Sequence, residues 1–216
     1  MPQLLAWEDA DRPLLVLEDL SDARWVPPWT EGDVDAVLAA LDELARTPAR
    51  APLPRFDDRR LPSWERVTED PAPFLSLGVA GTDWLDRALP TLVEATATTP
   101  LAGDAVLHCD VRGDNLCIRD GAAMLFDWNH ASIGNPVADV AYWLPSLRLD
   151  GGPEPDDVAR RVPGAEDFAA YLAGFFASRA GLPPPEGAPR VRVFQLRQLE
   201  VALPWACRVL GLPAPA

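Results

Sequence analysis

Asp120-Gly121 stands between two β-forming runs, LCIR at 116–119 and AMLFDW at 123–128, and no other feature of the 216-residue chain restricts its fold as tightly. A two-residue hairpin turn needs positive φ at its central positions, which Asp and Gly tolerate, so the spacing predicts a short antiparallel hairpin. Closing that hairpin returns Asp127 to the side of Asn115. The surrounding stretch, LHCDVRGDNLCIRDGAAMLFDWNHASIG, also holds both histidines of the chain and four aspartates.

Helical spacing dominates elsewhere. Val34, Val37, Leu38, Leu41 and Leu44 follow a capping box of Thr30 and Asp33 and stop at Thr47-Pro48. Trp84, Leu85, Ala88, Leu89, Leu92 and Val93 form one face of a second helix, capped by Thr82 or Asp83 and containing Pro90. Further helical patterns occupy 137–147, 166–180 and 191–210. Near the start, PQLLAWEDADRPLLVLEDL reads as another hairpin, with a polar turn at 8–12 and Leu14–Leu17 as a mostly buried strand. Residues 48–80 are rich in proline and are expected to form irregular loop. The expected fold class is α+β, mainly helical with small hairpins. With 48% hydrophobic residues the chain can bury a core as one large domain or two small ones.

Charge narrows the partners. Against 33 acidic residues stand 19 basic ones, all arginine, for a formal net charge of -14 that repels nucleic acid and anionic lipid. Neither nucleic acid nor a membrane is an expected partner. The acid excess lies mostly in residues 1–107, where a solvated surface and a preference for amine-bearing ligands both account for it. No apolar run of eighteen residues and no basic-then-apolar start occurs, so a cytoplasmic protein is expected. Cys109, Cys117 and Cys207 are an odd number without CxxC spacing, which argues for reduced thiols. Cys109 and Cys117 are expected to point into the core.

Phosphoryl transfer from a nucleotide needs a carboxylate to accept the proton of the acceptor hydroxyl and oxygen ligands to hold Mg²⁺ against the phosphates. His108, Asp110 and Asn115 stand at the spacing HxDxxxxN, and the hairpin supplies Asp127 as a second carboxylate. Downstream, FDWNHASIGNPVADVAYWLPS continues with Asp127-Trp128, then Gly134-Asn135-Pro136, then Asp139. This series resembles the aminoglycoside phosphotransferase and choline kinase-like branch of the protein kinase-like fold. The resemblance implies that Asp110 is the catalytic base, that Asn115 and Asp127 bind Mg²⁺, and that Asp139 is a buried acid bracing the catalytic loop. It makes His108 an orienting residue of that loop. Two roles are open to Arg112: contact with the transferred phosphate, or a structural pair with Asp114 or Asp139. His130 is either a substrate contact or a plain loop residue.

The resemblance covers nearly the whole chain. LLVLEDL looks like the last N-lobe strand entering the hinge, so Glu18, Asp19 and Leu20 are expected to meet the adenine through their backbone. It implies a remnant N-lobe hairpin and hinge at 1–20 and a mainly helical C-lobe with its catalytic β-hairpin at 21–216. The Gly-rich loop and phosphate-binding lysine of a full N-lobe have no counterpart, since no GxGxxG and no lysine occur. No GxxxxGK[ST] occurs either, and the DxDx[TV] motif of a Mg²⁺ phosphohydrolase is missing. The expected activity is ATP- or GTP-dependent O-phosphotransfer to a small hydroxyl-bearing molecule, with amine-containing compounds among the candidates. The alternative is a lobe-deficient relative that binds a ligand or partner without catalysis.

Overall fold

A computed structural model of the chain describes residues 1–49, 52–59 and 61–215. Strands Leu4–Glu8 (β1) and Leu14–Leu17 (β2) form the first antiparallel hairpin. A short strand, Arg24–Trp25 (β3), leads to helix Glu31–Arg46 (α1). Three helices follow: Trp64–Glu69 (α2), Ala72–Leu75 (α3) and Thr82–Ala97 (α4). The middle of the chain holds strands Ala105–Leu107 (β4), Leu116–Arg119 (β5), Ala122–Leu125 (β6) and Ser132–Gly134 (β7). Helices Val137–Leu149 (α5), Pro155–Ala159 (α6), Ala169–Ala180 (α7) and Val191–Leu210 (α8) complete it. The architecture is the mainly helical α+β fold that the sequence implies.

The core is helical and centres on α7, nearly every residue of which is buried. Small residues let neighbours approach its backbone closely. A Cβ on Gly174 would lie 2.0 Å from Ser63 Oγ, and one on Gly181 would lie 1.9 Å from Pro73 O. Into that space Trp64 inserts its indole, which donates from Nε1 to Ala170 O at 2.9 Å. Trp143 of α5 and Trp205 of α8 are likewise wholly buried, each contributing roughly 2–3 kcal/mol by area.

Three expectations need correction. Residues 48–80 are not simply irregular: α2 and α3 lie there, and residues 50, 51 and 60 fall outside the described residues. These helices are too short for a periodic signal and are held by burial of Trp64, Val67 and Phe74. The cap of α4 is Gly81, without a side-chain bond, rather than Thr82 or Asp83. Leu14–Leu17 is exposed. Leu4, Leu5, Trp7, Leu14 and Leu15 each keep more than half of their surface in solvent, because this two-stranded sheet is apolar on both faces. By contrast the Thr30 and Asp33 capping box starts α1 as expected, and α8 spans 191–210 as expected.

Candidate active site

Two nested hairpins build the site. The inner one pairs β5 with β6 across Asp120-Gly121, both at positive φ (52° and 76°), the signature expected for that turn. The outer one pairs β4 with β7, matching Val106 with Ile133 and Leu107 with Ser132. Nesting leaves two loops, 108–115 and 126–131, side by side between them. Sequence alone points to the inner pair only, since strands of three residues carry too little pattern to be seen.

The two loops are tied together at three places. Phe126 N donates to Asn115 O at 3.1 Å, which places Asp127 next to Asn115. His108 is fully buried, with Nε2 2.9 Å from Phe126 O and Nδ1 accepting from Asp110 N at 3.3 Å. Those partners assign the neutral Nε2–H tautomer. Burial pushes the His108 pKa below its usual value, and its ring packs on Trp128 at 4.6 Å. Behind the loop, Asp139 on α5 accepts the amide hydrogens of His108 and Cys109 at 2.6 and 2.7 Å. Its complete burial raises its pKa to about 6 against the pull of those two bonds. Cys109 and Asp127 both adopt positive φ, 62° and 64°, so each loop turns sharply where it meets the site.

At the front stands Asp110, part-exposed. Asn115, buried, donates from Nδ2 to both the carbonyl and the carboxylate of Asp110, each at 2.9 Å. That leaves the Asn115 amide oxygen as the group's remaining acceptor. Asp127 is exposed and accepts from Asn129 at 2.5 Å through one carboxylate oxygen. Arg112 forks onto Asp114, with Nε at 2.9 Å, and lies 3.7 Å from Asp110. Of the partners open to it, Asp114 is the one it meets. Asp139 is occupied by the loop backbone.

Glu18, Asp19 and Leu20, the residues expected at the hinge, lie apart from these loops and are joined to them through β5. Glu18 accepts from Gln3 N at 2.7 Å and from Arg119 at 2.9 Å, and the Gln3 bond leads in holding its carboxyl below the usual range. Two backbone groups there are already engaged, since Glu18 N donates to Gln3 O and Leu20 O accepts from Ala23 N. Asp19 closes a turn onto Ser21.

Beside Asp110 opens a cleft of about 490 Å³, lined by Phe56, Tyr142, Phe175, Phe176, Phe194 and several polar groups. Cys109 and His130 also line it. Cys109 is half-buried, packed against the core as expected while also lining the cleft, and Cys117 is buried as expected. Sequence reasoning missed the aromatic wall, because its members are spread from residue 56 to 194.

The fold and motifs have counterparts. A family model described as "Phosphotransferase enzyme family" matches residues 8–173. Among solved structures, a choline/ethanolamine kinase family protein from Mesorhizobium loti superposes with a TM-score of 0.59 at 16% identity, covering 97% of this chain and 77% of that one. Choline kinase LicA from Streptococcus pneumoniae gives 0.51 at 14% identity, with 97% and 74% covered. A thermostable mutant of aminoglycoside phosphotransferase APH(4)-Ia, in ternary complex with AMP-PNP and hygromycin B, gives 0.53 at 16% identity, with 98% and 76% covered. A search of curated proteins returned no match. Among the described residues no helix is long and apolar enough to cross a membrane.

Proposed function

The chain belongs to the phosphotransferase enzyme family, and from that membership we propose that it moves the terminal phosphoryl group of ATP or GTP onto a hydroxyl of a small molecule. The observation that carries this reading is the Asp110 carboxylate, held by Asn115 at the mouth of an aromatic cleft, with Asp127 returned beside Asn115. Asp110 takes the hydroxyl proton as the acceptor oxygen bonds to the γ-phosphorus and the bridging P–O bond to the nucleoside diphosphate breaks. Such base catalysis is worth about 10²–10⁴-fold.

Asn115 and Asp127 offer hard oxygen donors of the kind that suit Mg²⁺. Among the described residues no three His, Cys, Asp or Glu side chains converge on a metal, so further ligands come from the phosphate chain. When bound, the ion would neutralise phosphate charge and align the phosphates for transfer. Arg112, anchored by Asp114, adds positive charge near the transferred group. His108 and Asp139 fix the shape of the loop. Glu18, Asp19 and Leu20 form the hinge toward the nucleotide base, with residues 1–20 as N-lobe strands and hinge and 21–216 as the C-lobe.

A second reading, binding of a ligand or partner without transfer, draws on the absence of lysine and GxGxxG from these 216 residues. Labelled ATP with Mg²⁺ and a pool of small alcohols tests the first. Transfer or hydrolysis is expected to require Mg²⁺ and to be abolished by Asp110→Ala and by Asp127→Ala. Near wild-type turnover in either variant refutes the role given to that residue. Binding of acceptors with no turnover in the unaltered chain supports the second reading.

A further inference from the structure

Resting on that reading of Asp110, we infer that the acceptor is an uncharged, largely apolar hydroxyl compound bearing a hydrogen-bond donor, selected by Phe194 and Gln198. The cleft beside Asp110 is the size of an ordinary small-molecule site, about 490 Å³. Although the chain carries 33 acidic residues, among the described residues the only carboxylate lining this cleft is Asp110 itself. A polycation entering it finds one anionic partner, and that partner is the group needed as base.

The aromatic wall does not suit a cation either. Arg112 lies over the Phe194 ring, 4.9 Å from its centroid, and Arg179 lies over the Phe175 ring at 4.2 Å. A quaternary ammonium attracted to these rings would meet guanidinium groups already there. Arg192 donates to Gln195, a residue of the cleft lining, at 2.8 Å. Asp110 and Asp114 face Arg112, so the pocket is near neutral rather than acidic.

The wall holds buried polar atoms without a hydrogen bond, Tyr142 Oη and Gln198 Oε1 among them. Gln198 is 3% exposed, lines the cleft from α8, and its Oε1 is buried without a hydrogen bond. A buried acceptor left unpaired is a penalty that a ligand N–H or O–H relieves. Phe194, 39% exposed at the cleft, offers apolar surface that a flat or bulky ligand would cover. An acceptor that fits presents its hydroxyl to Asp110, an apolar body to Phe194 and Phe176, and a donor to Gln198.

Direct binding tests this without turnover. Calorimetry on the full chain compares uncharged hydroxy amides bearing phenyl, naphthyl or cyclohexyl groups with their N,N-dimethyl analogues, with choline and with hygromycin B. The best hydroxy amide is expected to bind about tenfold or more tightly than choline or hygromycin B, and about tenfold more tightly than its dimethyl analogue. Phe194→Ala is expected to weaken it by about tenfold. Gln198→Leu is expected to erase the preference for the N–H form, a comparison within one variant that fold damage does not mimic. Tighter binding of choline or hygromycin B, no binding by any hydroxy amide, or an N–H preference that survives in Q198L overturns the inference. Transfer is scored separately with Mg-ATP. A hydroxy amide that binds but is never phosphorylated counts against the transfer reading and leaves the acceptor class standing, whereas phosphorylation of choline or hygromycin B in preference does the reverse.

Discussion

Replacing Asp139 with Asn sets two forces on one carboxyl group against each other. The amide hydrogens of His108 and Cys109 favour its ionised form, while complete burial opposes it more strongly and moves its pKa from 3.8 to about 6. In the unfolded chain the group ionises near 3.8. Between pH 3.8 and 6 the folded protein therefore keeps a proton that the unfolded one has released, and stability falls as pH rises through that window. Two pKa units amount to about 3 kcal/mol, of which about half is lost between pH 5 and 7.5. That range avoids the isoelectric point near 4.4. The protonated carboxyl and the amide of D139N present similar hydrogen-bonding groups, and only the first can titrate. Relative to wild type, the variant is expected to gain about 1–2 kcal/mol between pH 5 and 7.5. Urea unfolding followed by the fluorescence of the eight tryptophans measures the difference at each pH. A difference that stays flat, or that moves in favour of wild type, would show that the two amides outweigh burial and that the brace carries its charge at little cost.

Other outcomes follow from packing. Gly174→Ala would set a methyl 2.0 Å from Ser63 Oγ and 2.6 Å from Trp64 Cδ1, so it is expected to lower stability by about 1–3 kcal/mol; an unchanged urea midpoint would refute the close contact of α2 with α7. Thr30→Ala removes the side chain that caps α1 and is expected to cost about 1 kcal/mol, with Thr30→Ser restoring most of it. Leu15→Thr is expected to change stability by less than about 0.5 kcal/mol, whereas Leu172→Ala, in the core, is expected to cost about 2–5 kcal/mol. A large loss at Leu15 would mean that the first hairpin is covered in solution.

Legibility in the sequence followed the range of the interaction. Asp120-Gly121 announces its turn because the constraint is local to two residues, and Thr30 with Asp33 announces a helix start for the same reason. HxDxxxxN and the later GNPxxD could be placed because a tight turn and a short strand leave the chain few paths between them. The pairing of β4 with β7 could not, since each strand is three residues long and the partner lies beyond two loops. Burial misled at Leu14–Leu17: an apolar run reads as a core strand, yet among the described residues no element covers either face of this hairpin sheet. The choice between Asp114 and Asp139 for Arg112 was beyond sequence, because only the fold shows that the Asp139 carboxylate is taken up by the amides of His108 and Cys109. Cleft composition was hidden as well, since Phe56, Tyr142, Phe175 and Phe194 meet only once α5, α7 and α8 have packed.

The nesting of the two central hairpins also sets an order in time. Closing β5 on β6 fixes a two-residue loop, a small entropic step that can be taken early. Closing β4 on β7 from an open chain would span the whole stretch from Leu107 to Ser132, but with the inner pair formed only the two loops remain to be ordered. Asp110, Asn115 and Asp127 thus reach their places at the second closure, after the turn at Asp120-Gly121 is made. A probe on the turn would then report structure before a probe on the loops, and the proposed reactive centre would be among the last parts of this region to exist during folding.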